Sequence, residues 1–223
     1  MGLKIDRNMF THADRDSGSL TMLSYIVHSF GEPGEYRGTV HGRGRQAVFY
    51  VTVDKESPVA QVDIDLAALL DATDDNDCCK GGAKNHFTVN PKGYAVFSVS
   101  RGSGGYSFHI RQALEDPETP VFDSQKLGKG DYFAATLLRP GRYSVMNVHT
   151  KARTELVVPY LVRGKTKYRP PSPLRVRFTG DQFDEKEMRL MPAQGLVFEC
   201  EGPSRFKIEF KEGDDGSSGR VTA

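Results

Sequence analysis

Glu32-Pro33-Gly34-Glu35-Tyr36 and Arg139-Pro140-Gly141-Arg142-Tyr143 are the stretches whose reading decides the fold. The first leads through Val40-His41 into the apolar run Val48-Phe49-Tyr50-Val51. The second leads through Val148-His149 into Leu156 to Val162. A Pro-Gly-x-Tyr step between extended segments marks a corner. Pro fixes φ, Gly turns the chain, and Tyr opens the next strand with its ring inward and its hydroxyl free to reach backbone. Two such corners in one chain predict two β units.

Around the corners nearly every segment alternates apolar and polar residues or is rich in β-formers. Strands are expected over Leu20 to Phe30, Tyr36 to Val40, Ala47 to Val53, Gln61 to Ile64, His86 to Val89, Tyr94 to Ser100 and Tyr106 to Arg111. A second set runs over Pro120 to Ser124, Tyr132 to Leu138, Tyr143 to Val148, Glu155 to Val162, Leu174 to Phe178, Met188 to Met191, Gly195 to Cys200 and Arg205 to Phe210. Arg101-Gly102-Ser103-Gly104-Gly105 reads as a glycine-rich hairpin. Leu66 to Ala72 gives the one helical suggestion. The polar, proline-bearing connection Leu114 to Pro120 places a boundary between residues 1–115 and 116–210, with 211–223 as a disordered tail rich in Gly, Ser and Asp. The fold expected is all-β, two packed Greek-key β-sandwich units.

The second half resembles cupredoxin-like domains, and an immunoglobulin-like sandwich would carry the same marks. The resemblance rests on the Leu138 to Tyr143 corner and on Phe183 to Phe198, where alternating apolar residues and a Gly precede Val197 and Phe198. Glu185 stands where the family pattern has Pro, and the opening-strand pattern follows the corner instead of preceding it. The resemblance would imply a copper thiolate four residues past the corner Tyr. Asn147 and Val40 occupy those places, so a blue-copper centre, which needs a Cys with two His, is excluded for both halves.

Charge and composition bound the function. The chain of 223 residues carries a formal net charge of +1, and its N-terminus has no apolar leader. No apolar run is long enough to span a bilayer, which predicts a soluble, cytoplasmic protein. Three cysteines, Cys78, Cys79 and Cys200, do not make a disulfide framework. Charge is segregated, however. Lys151 to Arg177 holds eight Lys/Arg and one acid, Glu155, whereas Asp54 to Asp77 holds eight acids and one Lys. Arg163, Lys165, Lys167 and Arg169 recur every second residue, as do Arg175 and Arg177, and extended backbone would line each set along one face. Such faces suit contact with a second copy, a partner protein or a polyanion, or simply guard sheet edges.

Candidate chemistry is sparse. No P-loop, nucleophile elbow, dinucleotide fingerprint or zincin helix is present. The acidic stretch Asp71 to Asp77 offers hard oxygens for Ca²⁺ but lacks the Gly and Glu of an EF-hand loop. His41 and His149 sit at similar places after the two corners, though one residue out of step, so regular strands would face them oppositely. The expected function is a non-enzymatic structural or interaction protein, a homo-oligomer or a subunit of a larger assembly, with no cofactor. The alternative is a transition metal held by His41, His109 and His149 without a thiolate. A catalytic site assembled from distant residues is a third possibility.

Overall fold

The computed structural model describes residues 12–72, 85–113, 120–162, 167–179, 181–214 and 221–222. Its first half contains β1 (Arg15–Asp16), β2 (Ser24–Ser29), β3 (Gly34–Gly42), β4 (Arg45–Val53), β5 (Gln61–Asp65), β6 (His86–Val89), β7 (Tyr94–Ser98) and β8 (Tyr106–Gln112), and β9 (Phe122–Asp123) opens the second half. The second contains β10 (Tyr132–Thr136), β11 (Gly141–Asn147), β12 (Arg153–Val158), β13 (Leu161–Val162), β14 (Leu174–Phe178), β15 (Glu187–Arg189), β16 (Gly195–Cys200), β17 (Phe206–Gly213) and β18 (Val221–Thr222). Helix α1 spans Leu66–Asp71, close to the helix expected from sequence. Asp65 caps it by accepting the Ala67 N–H, and its buried Leu66, Ala67, Leu69 and Leu70 pack towards β3 and β4. Among the described residues no helix is long and apolar enough to cross a membrane.

The molecule is all-β, and three large sheets carry nearly all the strands. One six-stranded sheet runs β14-β16-β10-β2-β7-β5, drawing three strands from each half. Two five-stranded sheets, β6-β4-β3-β8-β9 and β15-β12-β11-β17-β1, lie side by side over a single face of it. Aromatic rings fill the space between. Phe97 of β7 lies 4.1 Å from Phe108 of β8, and Phe198 of β16 lies 4.3 Å from Phe206 of β17.

Strand order in one half repeats that of the other. The six-stranded sheet is palindromic about the β2–β10 pair, which joins Tyr132 to Val27 and Ala134 to Tyr25. One constant spacing separates Asp16 from Asp123, Ser17 from Ser124, Tyr25 from Tyr132 and Tyr36 from Tyr143. The leading strands are exchanged. β1 pairs with β17 of the second half, and β9 pairs with β8 of the first. The buried hydroxyl of Ser17 accepts the Phe206 N–H at 3.1 Å, and that of Ser124 accepts the Phe108 N–H at 3.0 Å.

Both corners form as the sequence predicts. Tyr36 donates its hydroxyl to the Glu32 carbonyl at 2.9 Å, and Tyr143 donates to the Arg139 carbonyl at 2.6 Å. Burial pushes the Tyr143 phenol up to about 12. Gly141 takes φ +150°, and a side chain there would strike the Glu212 carbonyl, so the corner requires Gly.

Several sequence expectations are corrected. Arg101 to Gly105 is not a hairpin, because β7 belongs to the six-stranded sheet and β8 to a five-stranded one. The glycines carry the chain from one layer to the other beside the Arg43 side chain. Each half also contains parallel pairs, β4–β6 and β5–β7 in the first, β12–β15 and β14–β16 in the second. They arise because the chain crosses between layers at each step from β4 to β7, winding as a coil. The segment expected to be tail contributes strand at Lys211 to Gly213, within β17, and at Val221 to Thr222, which pair with Leu161 and Val162. Lys167 to Pro173 is not a strand despite its alternating charges, since Pro170, Pro171 and Pro173 lack the N–H a ladder needs.

Candidate functional site

Among the described residues, the six-stranded sheet buries one face and leaves the other open. Registers place Asp63, Val96, Val27, Tyr132, Glu199 and Arg177 in one row across the open face. The neighbouring row is Asp65, Ser98, Tyr25, Ala134, Val197 and Arg175. Tyr25 is 37% exposed and Tyr94, on the same face, 36%. The face is therefore apolar at its centre, acidic along β5 and basic along β14. Asp63 and Arg175 occupy equivalent places under the internal symmetry, as do Asp65 and Arg177. Arg177 forks onto Glu201, with Nε at 2.9 Å and Nη2 at 2.6 Å, where Asp65 instead binds the Ser100 hydroxyl. Arg175 and Arg177 thus share a face as the sequence predicted. Lys167 and Arg169 are exposed before β14, and Arg163 and Lys165 lie outside the described residues.

The outer faces of the two five-stranded sheets differ. On the second half, Arg142 lies 3.3 Å from Glu155 and 3.4 Å from Glu187, Lys211 lies 2.8 Å from Glu209, and Asp16 takes both Arg205 and Lys207. On the first half, Arg37 of β3 stands directly opposite Arg111 of β8, Thr39 opposite His109 and His41 opposite Ser107, so His41 and His109 are diagonal neighbours. The His41 and His109 rings stack at 5.7 Å. Among the described residues neither Arg37 nor Arg111 has an acidic partner, and the Arg111 Nε is buried without a hydrogen bond. Asp123 faces His109 from β9, but its carboxylate accepts the Gln125 N–H at 2.8 Å. Burial, then Arg111 and His41, hold the His109 imidazole below its ordinary range.

Of the three histidines singled out in the sequence, the fold brings His41 and His109 together. His149 sits in the turn after β11 with Nε2 3.0 Å from the Gln125 carbonyl. Pairing of β3 is regular through Gly38, so no bulge there brings His41 into step with His149. No three His, Cys, Asp or Glu cluster tightly enough to hold a metal among the described residues. Asp71, from the acidic stretch, is engaged by Arg43, Arg45 and Arg101, while 73–77 and Cys78-Cys79 lie outside the described residues.

Sequence reading missed the pair His28–Asp131, Nδ1 to Oδ1 at 2.7 Å, because the partners are far apart in the chain. It clamps β2 to β10 between the rings of Phe30 and Phe122. On the next strand Cys200 is buried, and desolvation with the nearby Asp131 charge pushes its thiol up to about 12. The dyad therefore adjoins a protonated thiol and not a nucleophile.

No protein-family model, curated protein or solved structure matches the chain.

Proposed function

We propose that this chain is a non-enzymatic interaction protein that assembles with itself through the open face of its shared sheet. Each half is read as a Greek-key sandwich of cupredoxin-like or immunoglobulin-like kind, divided near residues 115 and 116, with the ring layers as its core. The observation that carries the assembly reading is the charge layout on the open face. Two copies packed face to face about a two-fold axis along the strands bring each acidic edge over a basic one. An axis across the strands would oppose like charges instead. Tyr25, Val27, Val96, Tyr132 and Val197 supply the apolar centre such an interface uses.

Native mass spectrometry of the full chain, purified without chelators, tests this. A dimer is expected, weakened by salt and reduced to monomer by Tyr25→Glu or Arg175→Glu with the fold intact by circular dichroism. A monomer at high micromolar concentration, or a dimer indifferent to both changes, would overturn it. The alternative, a transition metal on His41 and His109, rests on their stacked rings. The flanking Arg37 and Arg111 oppose a bound cation, and the same spectrum reports bound metal.

A further inference from the structure

We propose that the outer face of the β6-β4-β3-β8-β9 sheet is a proton-gated binding site for phosphate groups, formed by Arg37, His41, His109 and Arg111. Like charges directly opposite on neighbouring strands oppose pairing, and nothing in the fold requires an Arg at either position. At the equivalent places of the second half stand Ser144 and Glu209, and that sheet neutralises its cations with acids. Arg37 and His41 project from one strand on either side of Thr39, and His109 and Arg111 from the next, so the four donors line one stretch of the face, where neither Arg has an acidic partner among the described residues. The buried Nε of Arg111 still lacks an acceptor, and a guanidinium fork matches phosphate oxygens. Beside Arg37 the Tyr50 and His86 rings stack at 4.6 Å, extending the patch with aromatic surface.

The charged and titratable groups facing His109 are Arg37 and His41 on β3, Arg111 on its own strand and Asp123 on β9. Three of the four disfavour its protonation in the empty protein. A phosphate seated among them reverses that balance, so binding takes up protons and strengthens as pH falls. The ligand is a phosphate-bearing anion, either a small phosphate ester or the backbone of a single-stranded nucleic acid.

Isothermal titration of the full chain with inorganic pyrophosphate, and separately with a single-stranded oligonucleotide, at pH 5.5 and pH 8.0 tests the site. Binding is expected at pH 5.5 and weaker by roughly tenfold or more at pH 8.0, since one linked proton shifts affinity by up to roughly tenfold per pH unit. Tight binding of pyrophosphate names a small ester as the ligand, and preference for the oligonucleotide names nucleic acid. H41N/H109N should remove the pH dependence of oligonucleotide binding, whose phosphodiesters keep their charge over this range, and R37Q/R111Q should remove binding at both pH values with the melting temperature unchanged or raised. Failure of both probes to bind at pH 5.5 would overturn the proposal, as would binding that R37Q/R111Q leaves intact.

Discussion

The first half of this molecule and the second share a strand order but spend their surfaces differently. The second covers the outer face of its five-stranded sheet with ion pairs, Arg142 across strands with Glu155 and Glu187, and Lys211 along its own strand with Glu209. The first places Arg37 against Arg111 and His41 beside His109, with no acid within ion-pair distance of either Arg among the described residues. Because the backbone pairings correspond, the difference cannot be charged to the fold. It lies in side chains the architecture leaves free to vary, which is where binding is expected to reside. The open face of the shared sheet shows the same divergence, with Asp63 and Asp65 at one edge matched by Arg175 and Arg177 at the other.

The core offers the sharpest way to break the correspondence. Gly38 faces Phe49 across β3 and β4, while the equivalent Val145 faces Thr154. A Cβ at position 38 would lie inside the Phe49 ring. Gly38→Val should therefore cost about 3 kcal/mol by denaturant unfolding, and Phe49→Val added to it should recover part of the loss. Equal stability of Gly38→Val and the unaltered chain would mean that the two cores are not built on complementary volumes.

A smaller effect is expected from acid. The folded-state imidazole of His109 titrates below its unfolded value, so the unfolded chain binds this proton more readily. Stability from this group is complete above the unfolded range near 6.5 and is lost as pH falls through it towards the folded value. His109→Asn should flatten the acid limb of a stability–pH profile, whereas Lys207→Asn at the equivalent place should not. A profile identical in both variants would remove His109 from the account. The smallest effects concern single surface charges. Arg142→Gln should lower stability by no more than about 0.5 kcal/mol, because exposed ion pairs contribute little. Arg37→Gln should leave it level or raise it by a similar amount through relief of repulsion with Arg111. A loss from both would show that Arg37 is structurally paired after all.

Much of the fold could be read from local sequence. The corners at Tyr36 and Tyr143, the alternation along β3, β4 and β16, and α1 at Leu66 all follow from contacts within a few residues. The site was legible only in part. Arg175 and Arg177 fall on one face because period two is a local property of extended chain. His41 and His109 could be named as candidates but not joined, since their adjacency depends on β3 pairing with β8 across a long separation. Nor does any local signal mark Arg37 and Arg111 as opposed, because register between distant strands is set by packing.

By itself the sequence determined that the chain is β, where it turns, which side chains share a strand face, and that charge is segregated. Those are consequences of backbone sterics and of the two-residue period. The tertiary structure alone decided that the halves share one sheet, that β1 and β9 exchange, that parallel pairs coil between layers, and that Arg101 to Gly105 bridges sheets. These choices depend on which distant apolar faces bury one another, a non-local balance that no window of neighbouring residues contains.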